Sequence, residues 1–215
     1  MTSALPAPYT PQPTGRQGPF VVLEGVSGIG KSTLAALLAQ RLKSSSIHTL
    51  ADPHQAWSST ANQELGALPQ MAFYLSGLLH ASDLIRQRLA SGPVIADRYT
   101  SSVTACHAAA HGIDPTDVAR LIDPFRPYLA PPDRTFYLLG STTALRRRMQ
   151  TKTDLKRDDT DLFAIPGRHA QLTANFHHVA AHDPTAVLVD TDHRTPDQLA
   201  DVICTHLEQP RAQSH

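Results

Sequence analysis

The chain has 215 residues, 41% of them hydrophobic and 18% charged, which is enough for one well-packed α/β domain and short for two of average size. Nineteen Lys and Arg balance nineteen Asp and Glu, which excludes the broad basic field that drives non-specific nucleic-acid or membrane binding. With only Cys106 and Cys204, no apolar run of membrane-spanning length and no charged segment leading into an apolar one, the expectation is a cytoplasmic protein without nucleic-acid or membrane partners.

Residues 1–18 carry Pro6, Pro8, Pro11 and Pro13 among small and polar residues, a composition that favours extended chain, so this arm is expected to be disordered, as is the tail 209–215. Between them, residues 19–208 are expected to form a single domain. From Phe20, short apolar runs alternate with longer stretches of helical period, the pattern of βαβ units around a parallel sheet. The runs are Phe20 to Glu24, Ile47 to Ala51, Val94 to Ala96, Thr135 to Leu139 and Ala186 to Asp190. They show little alternation, so both faces of the sheet should be covered. Helices are expected near 31–45, 67–91, 101–110, 115–128, 142–152, 167–181 and 196–208. The fold implied is a three-layer α/β sandwich on a five-stranded parallel sheet, with a mobile lid near 146–160.

Directly after the first run comes Gly25-Val26-Ser27-Gly28-Ile29-Gly30-Lys31-Ser32-Thr33, and directly after that an apolar helical stretch. Strand, glycine loop and helix are the context of a phosphate-binding P-loop. Glycines let backbone amides converge on phosphate oxygens, and the helix N-terminus favours negative charge. Lys31 is then placed to neutralise the β- and γ-phosphates and Ser32 to hold magnesium, so Mg-ATP is the expected cofactor.

The third run ends in Asp97-Arg98-Tyr99, at the carboxyl edge where open α/β sheets bind ligands. Further on come Arg146-Arg147-Arg148, Lys152 and Lys156-Arg157. A P-loop after strand one, an Asp-Arg-Tyr triplet after strand three and a basic lid before the last strand together resemble the thymidylate kinase family. The resemblance implies that Arg98 grips the acceptor's phosphate beside Tyr99, and that Asp97 organises the site and with Ser32 holds the magnesium. It also implies that Arg147 and Arg157 close over the transferring phosphoryl group, where a cation stabilises the spread charge and closure excludes water. The plainer alternatives are a strand-end ion pair at Asp97-Arg98 and a solvated helix face at the arginines. The family further implies a homodimer through the long helix near 67–91.

On the acceptor side the chain departs from that family. Where an Arg-Glu-Pro-Gly-Gly turn is usual, it has Ala51-Asp52-Pro53-His54-Gln55-Ala56-Trp57. Aligning Phe73 with the family's base-stacking Phe, and His80 with a frequent His, puts Gly77 where an Arg that reads thymine is expected. Ser27 stands where an acidic residue is common. These departures suggest a small-molecule phosphoryl acceptor other than dTMP. Asp52-Pro53-x-x-x-Trp57 instead resembles the Glu-Pro-x-x-x-Trp turn of deoxynucleoside kinases, in which the acidic residue deprotonates an acceptor hydroxyl. Asp52 is thus a candidate general base and Trp57 a candidate acceptor contact, against the plainer readings of a turn former and a core filler.

Thr151-Lys152-Thr153-Asp154 resembles a GTPase guanine-reading signature, which would make the chain an NTP-dependent switch, but no buried strand directly precedes it. His107 with His111, and His178 with His182, have one-face helical spacing but no adjoining Glu or cysteine cluster. Magnesium is the only metal expected.

Overall fold

The computed structural model describes residues 10–11, 15–151 and 157–209, with the side chains of 151 and 157–160 outside the description. Its sheet has five parallel strands in the order β2-β3-β1-β4-β5. In chain order the strands are β1 (Phe20–Glu24), β2 (Ser45–His48), β3 (Val94–Asp97), β4 (Arg134–Leu139) and β5 (Ala186–Asp190). The helices are α1 (Lys31–Arg41), α2 (His54–Glu64), α3 (Ala67–Leu89), α4 (Thr100–His111), α5 (Pro115–Ile122), α6 (Thr142–Thr151), α7 (Arg157–Ala164), α8 (Arg168–Ala181) and α9 (Pro196–Glu208).

Strand β1 is buried along its whole length, as its unbroken apolar run requires. Val21 and Leu23 face a core with Leu34 and Leu38 of α1 and Ala200 and Ile203 of α9. Phe20 and Val22 face a second core with Met71, Leu78 and Ile85 of α3, Val103 of α4 and Ile122 of α5. Helices therefore cover both faces, as the lack of alternation implied.

Several boundaries differ from the sequence expectation. Strand β2 runs over Ser45–His48 instead of 47–51, because its ladder follows β3: Ser45 pairs with Val94 and His48 with Asp97, where β3 ends. Leu50, expected in that strand, is freed to pack elsewhere. The helix expected over 115–128 stays α-helical only to Ile122 and continues as a 3₁₀ helix over Asp123–Tyr128. Pro124 and Pro127 cannot donate the α-helical hydrogen bonds there. Helices α2 and α7 were not anticipated. Only Ala61 of α2 is buried, so no apolar stripe announced it. Residues 15–18, expected within a disordered arm, are tied to the domain: Gln17 N–H donates to Leu89 O at 2.8 Å, and Arg16 pairs with Asp133.

Candidate active site

The loop 25–30 joins β1 to α1. Gly25 has φ 138°, and a Cβ there would stand 2.6 Å from the Leu138 carbonyl oxygen on the neighbouring β4, so the loop can leave the sheet only at a glycine. Gly30, at φ 106°, opens α1 with no side chain capping it. The first amides of α1 are thereby left for an anion. Thr33 sits exposed on that first turn, and Ile29 is buried under the loop.

Lys31 is buried, and its Nζ donates to Gly25 O at 2.9 Å and Val26 O at 2.8 Å. Burial and then the nearby Arg98 pull its pKa down to about 7, against the opposing pull of Asp97 and Glu24. The lysine is folded onto its own loop, beside the phosphate cradle.

Strands β1 and β3 are neighbours, with Leu23 paired to Asp97, so the triplet after β3 lands beside the loop. Ser32 Oγ donates to Asp97 Oδ2 at 2.5 Å, and Asp97 Oδ1 is buried without a hydrogen-bond partner. A hydroxyl and a half-satisfied carboxylate side by side are hard oxygen donors of the kind magnesium takes. Arg98 has left-handed backbone, φ 74°, and its N–H donates to Leu23 O at 3.0 Å. Its guanidinium reaches Ser27 Oγ at 3.5 Å and Ser102 Oγ at 3.4 Å, spanning the P-loop and α4.

Tyr99 is not brought to the same surface. Only 2% exposed, its ring lies edge-on to Phe20 at 5.4 Å within the core. The reversal of the backbone at Arg98 turns the next side chain inward. In its place the structure brings in Glu24, fully buried at the end of β1, whose carboxylate accepts from Tyr99 N at 2.8 Å and Ser102 N at 3.2 Å and from Ser102 Oγ. Burial raises its pKa, while those bonds and Arg98 oppose the rise. Sequence reasoning counted Glu24 as strand; the available signal was a carboxylate closing an otherwise apolar run.

The residues expected on the acceptor side come from the β2–α2 turn, which rests on α3. Gly77 is buried, and a Cβ there would meet Leu50 Cδ2 at 2.5 Å and the His54 ring at 3.5 Å. His54 lies 5.5 Å from Phe73 and 5.6 Å from His80, with Nε2 2.8 Å from Ser76 Oγ. Burial and then His80 lower its pKa, which favours the neutral imidazole. Phe73 is half-buried with His54 against it. Asp52 is exposed at the turn. Trp57 is 60% exposed on α2, so it does not fill the core, the plainer role open to it.

Among the lid residues, Arg147 is exposed on α6, and Arg157 opens α7 with its side chain outside the described set. Arg146 lies over the Phe163 ring at 4.3 Å. Arg148, passed over in the sequence, turns toward the loop: it donates to Thr191 Oγ1 at 2.9 Å, Thr191 O at 2.6 Å and Ile29 O at 3.5 Å. The GTPase-like Lys152, Thr153 and Asp154 lie outside the described residues. A cavity of about 470 Å³ between α4, α5 and α8 has Glu24 and Tyr99 in its wall, together with Thr116, Thr135, His178 and Thr185. Several of its polar groups pair with each other, as in Thr135 Oγ1 with Thr185 Oγ1 at 2.7 Å and Thr116 with His178 at 3.1 Å.

Residues 23–202 match the family model described as thymidylate kinase. A thymidylate kinase from Leifsonia xyli subsp. xyli is 29% identical over 210 residues, covering 89% of this chain and 96% of that one. A probable thymidylate kinase from Natronomonas pharaonis is 30% identical over 127 residues, 55% of this chain and 65% of its own. Among solved structures, thymidylate kinase from Candida albicans aligns with a TM-score of 0.72 at 20% identity, covering 91% of this chain and 93% of that one. Deoxyadenosine kinase from M. mycoides aligns at 0.64 and 17% identity, over 87% and 98%. At these identities the two structures establish a shared fold.

Proposed function

The chain belongs to the thymidylate kinase family and is a P-loop nucleotide kinase using ATP, and on that premise we propose that it phosphorylates a nucleoside monophosphate other than ordinary dTMP. The observation that carries the second half is Gly77. The space into which a base-reading arginine would grow from that position is filled by Leu50 and His54, so a long side chain has been replaced by packed turn.

In this reading the α1 N-terminus and the loop amides cradle the donor phosphates, and Lys31 leaves the Gly25 and Val26 carbonyls to neutralise them. Ser32 and Asp97 would hold magnesium, which when bound offsets charge on the phosphate oxygens. Arg98, directed to Ser27 at the P-loop edge, faces the acceptor's phosphate, and lid arginines Arg147 and Arg157 close over the transfer. Because an acceptor phosphate is already anionic, no general base is required. Phe73, Gly77 and His54 form the wall toward the acceptor's base. A homodimer through α3 would cover Leu68, which is 70% exposed at that helix's start.

The test is ADP release across a panel of nucleosides and nucleoside monophosphates, with Asp52→Asn run beside the parent protein. Turnover stimulated by monophosphates other than dTMP, with Asp52→Asn nearly silent, is the expected result. Stimulation by free nucleosides, with Asp52→Asn losing on the order of a hundredfold, would establish a hydroxyl kinase using Asp52 as base. No stimulation by any acceptor would point to an NTP-dependent switch.

A further inference from the structure

We infer that Glu24 is a positioning residue of the transfer reaction, holding the acceptor-binding arginine through Ser102. The inference rests on the proposed role of Arg98 and concerns what fixes that arginine in place. Helix α4 begins at Thr100, and its N-cap residue Tyr99 offers no side-chain cap. Glu24 supplies the cap from the adjacent strand. Its Oε1 accepts from Tyr99 N and from Ser102 N, the third amide of the helix, at 2.8 and 3.2 Å. Carboxylates at such amides answer both the unpaired donors and the helix dipole.

Ser102 carries the effect onward. Its hydroxyl donates to Glu24 Oε2 and accepts from Arg98 Nη1 at 3.4 Å, so carboxylate, hydroxyl and guanidinium form one chain. Arg98 itself is held at φ 74°, a left-handed conformation that a non-glycine residue keeps only where its surroundings over-determine it. Its flanks are both anchored to β1: its own N–H goes to Leu23 O and the next residue's N–H to Glu24. Because Glu24 directly precedes Gly25, the strand that launches the phosphate loop also sets the arginine's direction. The donor cradle and the acceptor grip are thus built from consecutive residues, Glu24 and Gly25.

Four variants test this: Glu24→Gln, Ser102→Ala, its rescue Ser102→Thr and, as control, Arg98→Ala. Glutamine keeps an oxygen for the two amides, so the helix cap and the fold survive. Its NH₂ must then donate to the Ser102 hydroxyl, which loses the acceptor for its own proton and with it the orientation that presents a lone pair to Arg98. A misplacement near 1 Å costs on the order of a hundredfold. Glu24→Gln and Ser102→Ala are therefore expected to raise the acceptor KM by about tenfold or more, with the ATP KM within about twofold, and Ser102→Thr to restore it. A folded Glu24→Gln with unchanged acceptor KM, or with both KM values raised alike, overturns the inference. If Arg98→Ala leaves the acceptor KM untouched, the acceptor role of Arg98 fails instead. The crystal structure of Glu24→Gln then decides the positioning claim: it stands if Arg98 leaves its left-handed φ or its approach to Ser27, and falls if both are retained.

Discussion

The donor half and the acceptor half of this site are made in different ways. From Gly25 to Thr33 the site is one continuous segment whose geometry is enforced locally, by a glycine forced under Leu138 O and by a helix that begins at Lys31. The proposed acceptor half is assembled from four separated pieces: the turn after β2, the Phe73–His80 face of α3, Arg98 after β3, and Glu24 beneath it. A segment fixed by its own backbone tolerates little change, whereas an assembly of distant side chains can be refilled one contact at a time. In the proposed reading, the packing of Leu50 and His54 against Gly77 is such a refilling.

The largest effect should come from the donor half. Lys31→Ala is expected to lower turnover on the order of a hundredfold or more, the usual cost of removing a charge-stabilising donor. Full turnover in that variant would break the comparison at its firmest point.

A smaller effect is expected at Gly77, where two opposing terms have similar size. Alanine gains about 1 kcal/mol in helix propensity but overpacks against Leu50 at a cost of about 1–3 kcal/mol. Leu50 is buried, so its Cδ2, 2.5 Å from the added methyl, has little room to swing away and overpacking wins. Gly77→Ala should destabilise by about 1 kcal/mol in denaturant unfolding, and in a Leu50→Ala background the same change should stabilise by about 1 kcal/mol. The same sign in both backgrounds would mean that Leu50 does not set the wall.

The smallest effect is a proton. With Lys31 held near pKa 7 in the free protein, ATP binding above pH 7 should take up a proton as the phosphates restore the ammonium. Calorimetry in buffers of differing ionisation enthalpy reads this directly, and binding without uptake at pH 8 would contradict it. The linkage to stability has a definite sign. The unfolded lysine, near its ordinary 10.5, binds a proton that the folded one lacks between about pH 7 and 10.5. Stability without ATP therefore gains from this group as pH rises through that window, and its cost is fully present below it.

Much of this was legible along the chain. The buried run before Gly25, the loop and the helix after it are adjacent in sequence, so composition and period suffice to place them. Asp97 and Arg98 could be read as well, because the carboxyl end of a parallel strand is where such sheets bind ligands. Tyr99 could not be separated from its neighbours, since only the positive φ at Arg98 sends its ring toward Phe20. Glu24 showed only as a carboxylate closing an apolar run, and neither its part nor that of Arg148 could be read further, because each acts across a gap of many residues: Glu24 on Ser102, Arg148 on Thr191 and Ile29. Ser102 lies only four residues from Arg98, but its part depends on the distant Glu24.

By itself, then, the sequence determined an α/β domain with a nucleotide-binding loop and an Asp-Arg-Tyr triplet beside it, and it could say that an arginine was absent at position 77. Only the tertiary structure decided what occupies that space, which arginine of the three on α6 turns to the loop, and what holds Arg98. The physical reason is the range of the forces involved. Backbone conformation and hydrophobic period are set within a few residues, whereas a packed wall and a buried hydrogen-bond chain exist only once β1, β3, α3 and α4 have been brought together.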